Sequence, residues 1–120
     1  MTQSSGLHEP VDDLSPEVVD RHRANVSLQE EFEAIDWYDQ RVSATGDAEL
    51  ADILAHNRDD EKEHAAMVLE WLRRKDPALD EQLRKYLFTN GSITSLETVA
   101  ADGGEGSGSL GIGSLRGTGS

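Results

Sequence analysis

Thr45-Gly46-Asp47 decides the fold. Gly46 is the one glycine or proline between Pro16 and Asp76, so it divides a long helical stretch into two segments of similar length. Gly46 ends the first segment, and the Asp47 side chain is suited to cap the next. Upstream, Ser15-Pro16-Glu17 reads as a helix start, with a hydroxyl at the N-cap, proline at the first helical position and an acid in the first turn. The first helix should therefore run from Ser15 to about Thr45, and the second from Asp47 to about Lys75. Arg73, Arg74 and Lys75 place positive charge in the last turn of the second helix, where it complements the helix dipole. Asp76-Pro77 repeats the cap-then-proline signal and opens a short third helix to about Phe88, which Asn90-Gly91 stops.

Two long helices joined by a tight turn form an antiparallel hairpin. Such a hairpin carries an apolar face with nothing to cover it, and pairing two hairpins gives a four-helix bundle. A dimer is thus expected from burial alone. The fold class is all-α, a two-helix hairpin plus a short C-terminal helix. Residues 1–14, polar and containing Gly6 and Pro10, read as a flexible N-terminal arm, and 15–90 as the helical domain. Residues 91–109 read as a flexible linker to a terminal peptide at 110–120. Eight of the eleven glycines lie from Gly103 onward, a composition that cannot build a packed core.

The net charge of -13 makes nucleic acid and anionic membrane surfaces poor partners and suits cations, although solubility alone also accounts for it. With no cysteine, disulfides and thiolate metal sites are excluded, and oxygen plus imidazole ligation remains. The absence of cysteine also fits a reducing cytoplasm. Met1–Val11 has no apolar core of a secretory signal, and no apolar run approaches the roughly 20 residues of a membrane span.

At about 100° per residue, Glu31 falls within the apolar arc of Leu28, Ile35 and Val42 on the first helix. Glu61 falls within the arc of Leu54, Ala65, Val68 and Leu72 on the second, with His64 toward its edge. Carboxylates on an apolar face are expensive without a partner. One solution is a Glu–His or Glu–Tyr hydrogen-bond network, with Tyr38 as donor. The other is a metal, because two acids and one histidine in one layer call for more positive charge than the histidine supplies. A Glu from one helix plus Glu-x-x-His from another is half of a di-iron carboxylate site. Two chains would complete it, with the site on the two-fold axis. On the opposite side of the first helix, Glu30, Glu33 and Trp37 share an outward stripe, readable as a solvated face, a subunit contact or an access point for cations. His8, His22 and His56 lie off these arcs.

Long runs of the chain resemble the encapsulated ferritins, small ferritin-like proteins sequestered within encapsulin nanocompartments. The likeness spans roughly residues 8–95. It includes His8-Glu9-Pro10, Asp36-Trp37-Tyr38-Asp39-Gln40-Arg41 and the run from Ala55 through Glu61-Lys62-Glu63-His64 to Met67. Glu70-Trp71-Leu72-Arg73-Arg74 and Tyr86-Leu87-Phe88-Thr89 extend it. The resemblance implies a ferritin-like four-helix bundle formed by dimerisation, and oxidation of Fe(II) to Fe(III) at a di-iron centre ligated by Glu31, Glu61 and His64. It also implies a metal access site at Glu30, Glu33 and Trp37, with Tyr38 beside the catalytic centre. An annular decamer of five dimers is implied too, a ring with no storage cavity that depends on the encapsulin shell in the cytoplasm to hold mineral. Leu110-Gly111-Ile112-Gly113-Ser114-Leu115-Arg116 looks like the peptide that loads such cargo into the shell.

Two rival readings remain open at this level. An acidic helical hairpin with a targeting tail could serve as a scaffold or passive divalent-metal buffer, which only turnover with oxygen separates from a ferroxidase. A di-metal oxygenase acting on an organic substrate is the other, and the sequence encodes no apolar substrate pocket for it.

Overall fold

A computed structural model describes residues 6–98. Residues 1–5 of the expected arm, the linker from residue 99 and the whole expected targeting peptide at 110–120 lie outside the described residues. The chain divides into two compact units at the Lys75–Asp76 boundary. The first contains a short 3-10 helix at Val11–Asp13, α1 at Pro16–Ala44 and α2 at Ala48–Lys75. The second contains α3 at Pro77–Tyr86. No strand occurs among the described residues, and no described helix is long and apolar enough to cross a membrane.

Local chemistry sets the helix starts. Ser15 Oγ accepts from the Val18 amide at 3.2 Å, Asp47 Oδ1 from the Leu50 amide at 3.0 Å, and Asp76 Oδ1 from the Leu79 amide at 3.1 Å. Each satisfies a backbone donor left open in a first helical turn. The turn between α1 and α2 is built differently from expectation. Thr45 is extended, at φ -76° and ψ 141°, and its Oγ1 accepts from the Asp47 amide at 3.2 Å. Gly46 is not left-handed, and α1 already ends at the extended Thr45, so no left-handed glycine closes it. Among the described residues the left-handed glycine is Gly91, at φ 86°. The third helix also stops earlier than expected. It ends at Tyr86, Leu87 is extended, and Phe88 takes φ 61° with its side chain fully exposed. A bulky residue there breaks helical backbone continuity outright. The last three residues before Leu14 form a 3-10 turn where only an irregular arm was expected.

In the first unit α1 packs antiparallel against α2 along their length. Their seam is thin. Only Ala65 and Leu72 of the described residues are buried, and neither completely, while Phe32 and Ile53 stay more than half exposed. Two cylinders touch along one line, so each helix keeps most of its apolar stripe open until another layer covers it. Glu31 and Glu61 are accordingly only part-buried within one chain and His64 is exposed, not enclosed as the apolar arcs suggested.

Candidate metal centre

Glu31 comes from α1, in the middle of its length. Glu61 and His64 come from α2, three residues apart and so on one face. Antiparallel packing brings the three together, with one ligand atom from each within 4.8 Å of the others. His64 Nδ1 lies 3.3 Å from Glu61 Oε1 and 3.6 Å from Glu31 Oε1. The two Glu side chains are 23% and 25% exposed and that of His64 46%, so the cluster faces outward from a half-covered seam. Among the described residues it is the one set of three or more such donors at ligand spacing.

The two carboxyls act on each other's protonation in opposite senses. The hydrogen bond to Glu61 holds the Glu31 carboxyl above its ordinary range, with partial burial and the Glu61 charge acting the same way and His64 opposing them. Glu61 moves the other way, because it accepts that hydrogen bond and gains further from His64. Glu31 is therefore the member of the pair that takes up a proton first as pH falls, a division that belongs to the pair. Like charges forced together in this way are a frequent mark of functional sites. The donors suit iron, since carboxylate oxygens and imidazole bind both Fe(II) and Fe(III), and a cation would neutralise the two opposed acids.

The other candidate residues stand apart from this cluster. Tyr38 lies seven residues beyond Glu31, about 10 Å along the helix axis. Its ring sits beneath the Arg41 guanidinium at 5.4 Å, and no hydrogen bond joins it to Glu31, Glu61 or His64 among the described residues. Glu30 and Trp37 are exposed and Glu33 is half-buried, on the α1 stripe that helical spacing gives them. Sequence reading assigned no part to Arg58 and Asp39, which pair across the helices at 2.9 Å. The available signal was their place on the turn side of the Glu31 and Glu61 positions in an antiparallel hairpin.

Beside the cluster, Arg23, Ala24, Ser27, Met67, Val68 and Trp71 line an open, mostly apolar cleft of about 290 Å³. Ser27 is one turn before Glu31, and Val68 one turn after His64, so cleft and cluster share one side of the hairpin.

The family model described as EncFtn-like matches residues 6–90. An encapsulated ferritin-like protein of Rhodospirillum rubrum is 58% identical, covering 98% of this chain and 93% of its own length. A ferritin-like protein of Thermotoga maritima is 54% identical, over 88% of this chain and 93% of that protein. An encapsulin nanocompartment cargo protein of Myxococcus xanthus is 32% identical, over 88% and 84%. The crystal structure of a protein from Nitrosomonas europaea aligns at a TM-score of 0.71 and 62% identity, covering 73% of this chain and 97% of that one.

Proposed function

Because this chain belongs to the EncFtn-like family, we propose that it is a ferroxidase, oxidising Fe(II) to Fe(III) with dioxygen at a two-iron site shared between two copies. The observation that carries this reading is the meeting of Glu31, Glu61 and His64 within 4.8 Å on the open side of the hairpin seam. Fe(II) is the substrate. Glu31, Glu61 and His64 would bind it through carboxylate oxygens and the imidazole. Two bound irons supply one electron each to the same dioxygen, which a single iron does less readily. The carboxylates then favour the more highly charged Fe(III) product.

One chain supplies one Glu and one Glu-x-x-His, half of the set that two irons require. A second copy related by a two-fold axis would bring the other half. The outward-facing cluster and the neighbouring cleft support this, since a partner hairpin would cover both and complete a ferritin-like four-helix bundle. An annular decamer of five such dimers is the proposed assembly. Glu30 and Glu33 would gather Fe(II) from solution, Trp37 would restrict access, and Tyr38 would serve beside the centre in the assembled bundle. Residues 110–116 would load the assembly into an encapsulin shell in the cytoplasm, where ferric product is stored.

The test adds Fe(II) anaerobically, admits air, and follows ferric absorbance together with oxygen uptake. The full chain is expected to oxidise Fe(II) far faster than buffer, and a Glu31→Ala/Glu61→Ala/His64→Ala chain at the buffer rate. Glu30→Ala should slow uptake while leaving the final amount bound unchanged. Metal binding without faster oxidation would instead identify a divalent-metal buffer.

A further inference from the structure

The seam between α1 and α2 does not by itself fix how far one helix slides past the other. Its buried residues, Ala65 and Leu72, both lie on the far side of Glu61 from the hairpin turn. Between Glu61 and the turn, no described residue of either helix is fully buried. Yet the candidate centre depends on register. A slip of one helical turn, about 5.4 Å, exceeds the 4.8 Å within which the three ligand atoms now lie.

One polar contact crosses the helices in this poorly packed region. Arg58 Nη1 donates to Asp39 Oδ1 on α1 at 2.9 Å, and Arg58 Nε donates to Asp59 Oδ1 on its own helix at 3.1 Å. The Arg58 side chain is 22% exposed, against about 60% for each acid, so it is the inward member of the trio. Asp59 is steadied further by Lys62 Nζ at 3.3 Å. Arg58 and Asp39 both line an open hollow of about 660 Å³. The residues lining that hollow are polar or charged except Val42.

Helix geometry makes the pair a ruler. Asp39 lies eight residues from Glu31 toward the turn, about 12 Å along α1, and Arg58 three residues from Glu61, about 4.5 Å along α2. The difference of about 7.5 Å is within the combined reach of an extended arginine and an aspartate. Helical side chains lean toward their own N-terminus, so Arg58 leans toward the turn and Asp39 away from it, and the two converge. A planar guanidinium tied at two of its nitrogens to acceptors on different helices has one comfortable setting. Register specification is also the best-attested use of partly buried charge pairs.

We propose that Arg58, held by Asp39 and Asp59, is a positioning residue that sets the α1–α2 register and so aligns Glu31 with Glu61 and His64. This rests on reading those three residues as one ligand set. Arg58 touches no metal in this account and acts only through the helices.

The test measures register directly, without metal. The chain has no cysteine, so Asn25→Cys and Asp52→Cys, on exposed positions of α1 and α2, accept spin labels cleanly. Labelled chain is diluted with unlabelled chain, and the intrachain distance is read by pulsed paramagnetic resonance. The unaltered pair should give one narrow distance. Arg58→Met should broaden it or displace it by about one helical turn, roughly 5 Å. Asp39→Asn, which leaves the arginine stem packed, should do the same should Arg58→Met fail to fold. The exchanged pair Asp39→Arg/Arg58→Asp should restore the narrow distance. In parallel, Co(II) titrated as a spectroscopic probe should bind roughly tenfold more weakly to both single variants and recover in the exchange. An unchanged distance distribution in the single variants overturns the proposal. An Arg58-dependent register in a chain that oxidises no Fe(II) supports the positioning role and contradicts the ferroxidase reading.

Discussion

Glu31 keeps its proton to higher pH than an isolated glutamate does, chiefly because of the hydrogen bond it makes with Glu61. Its raised carboxyl means the folded chain binds that proton more tightly than the unfolded chain does. Stability from this source is fully present below the ordinary carboxylate range and is lost as pH rises past the raised value. At neutral pH the metal-free chain therefore carries two carboxylates in opposition. Glu31→Gln keeps a hydrogen-bond donor for Glu61 and removes the opposing charge. It should raise the thermal midpoint of chelator-treated protein at neutral pH, with the gap narrowing near about pH 4. The same variant should lose Fe(II) oxidation by at least about tenfold. A variant that melts lower than the unaltered chain at neutral pH would contradict this account of the pair. Destabilisation concentrated at a working site is the usual relation between stability and function.

Elements show how much the sequence disclosed. The starts of α1, α2 and α3 were readable because caps are local: Ser15, Asp47 and Asp76 each reach an amide three residues on. Glu61 and His64 were readable as neighbours because helical period alone puts them on one face. The meeting of Glu31 with them was not fixed by periodicity, since it depends on register across the hairpin. Nor could periodicity give depth of burial, as Phe32 and Ile53 lie in or near apolar arcs and yet stay open in one chain. The end of α2 offers its own test. Glu70 accepts from Arg73 at 2.8 Å and Arg74 at 2.6 Å, which together bring its carboxyl down to about 2. A lowered carboxyl stabilises the fold above the ordinary range near 4.5 and loses that contribution as pH falls toward about 2. Glu70→Gln should therefore melt lower than the unaltered chain at neutral pH, and the two midpoints should converge in acid. A gap that widens on acidification would show that the arginines do not favour the ionised form.

At the scale of the whole molecule, a hairpin with two buried residues among those described is an unfinished core. Small domains commonly complete themselves by association. The proposed site and the proposed interface are then one surface, which links iron binding to assembly. The C-terminal peptide belongs to a different task. Deleting residues 110–120 should leave Fe(II) oxidation and oligomer size unchanged and abolish co-isolation with an encapsulin shell on co-expression. Equal loading of the shortened chain would remove the targeting role from that segment. The central claim is that two irons occupy one centre built from two chains, and Mössbauer spectroscopy tests it most directly. Protein loaded anaerobically with isotopically enriched Fe(II) and then exposed to air should hold about two irons per pair of chains. Their ferric spins should be coupled to a diamagnetic pair. Isolated, uncoupled ferric ions at one per chain would contradict the account.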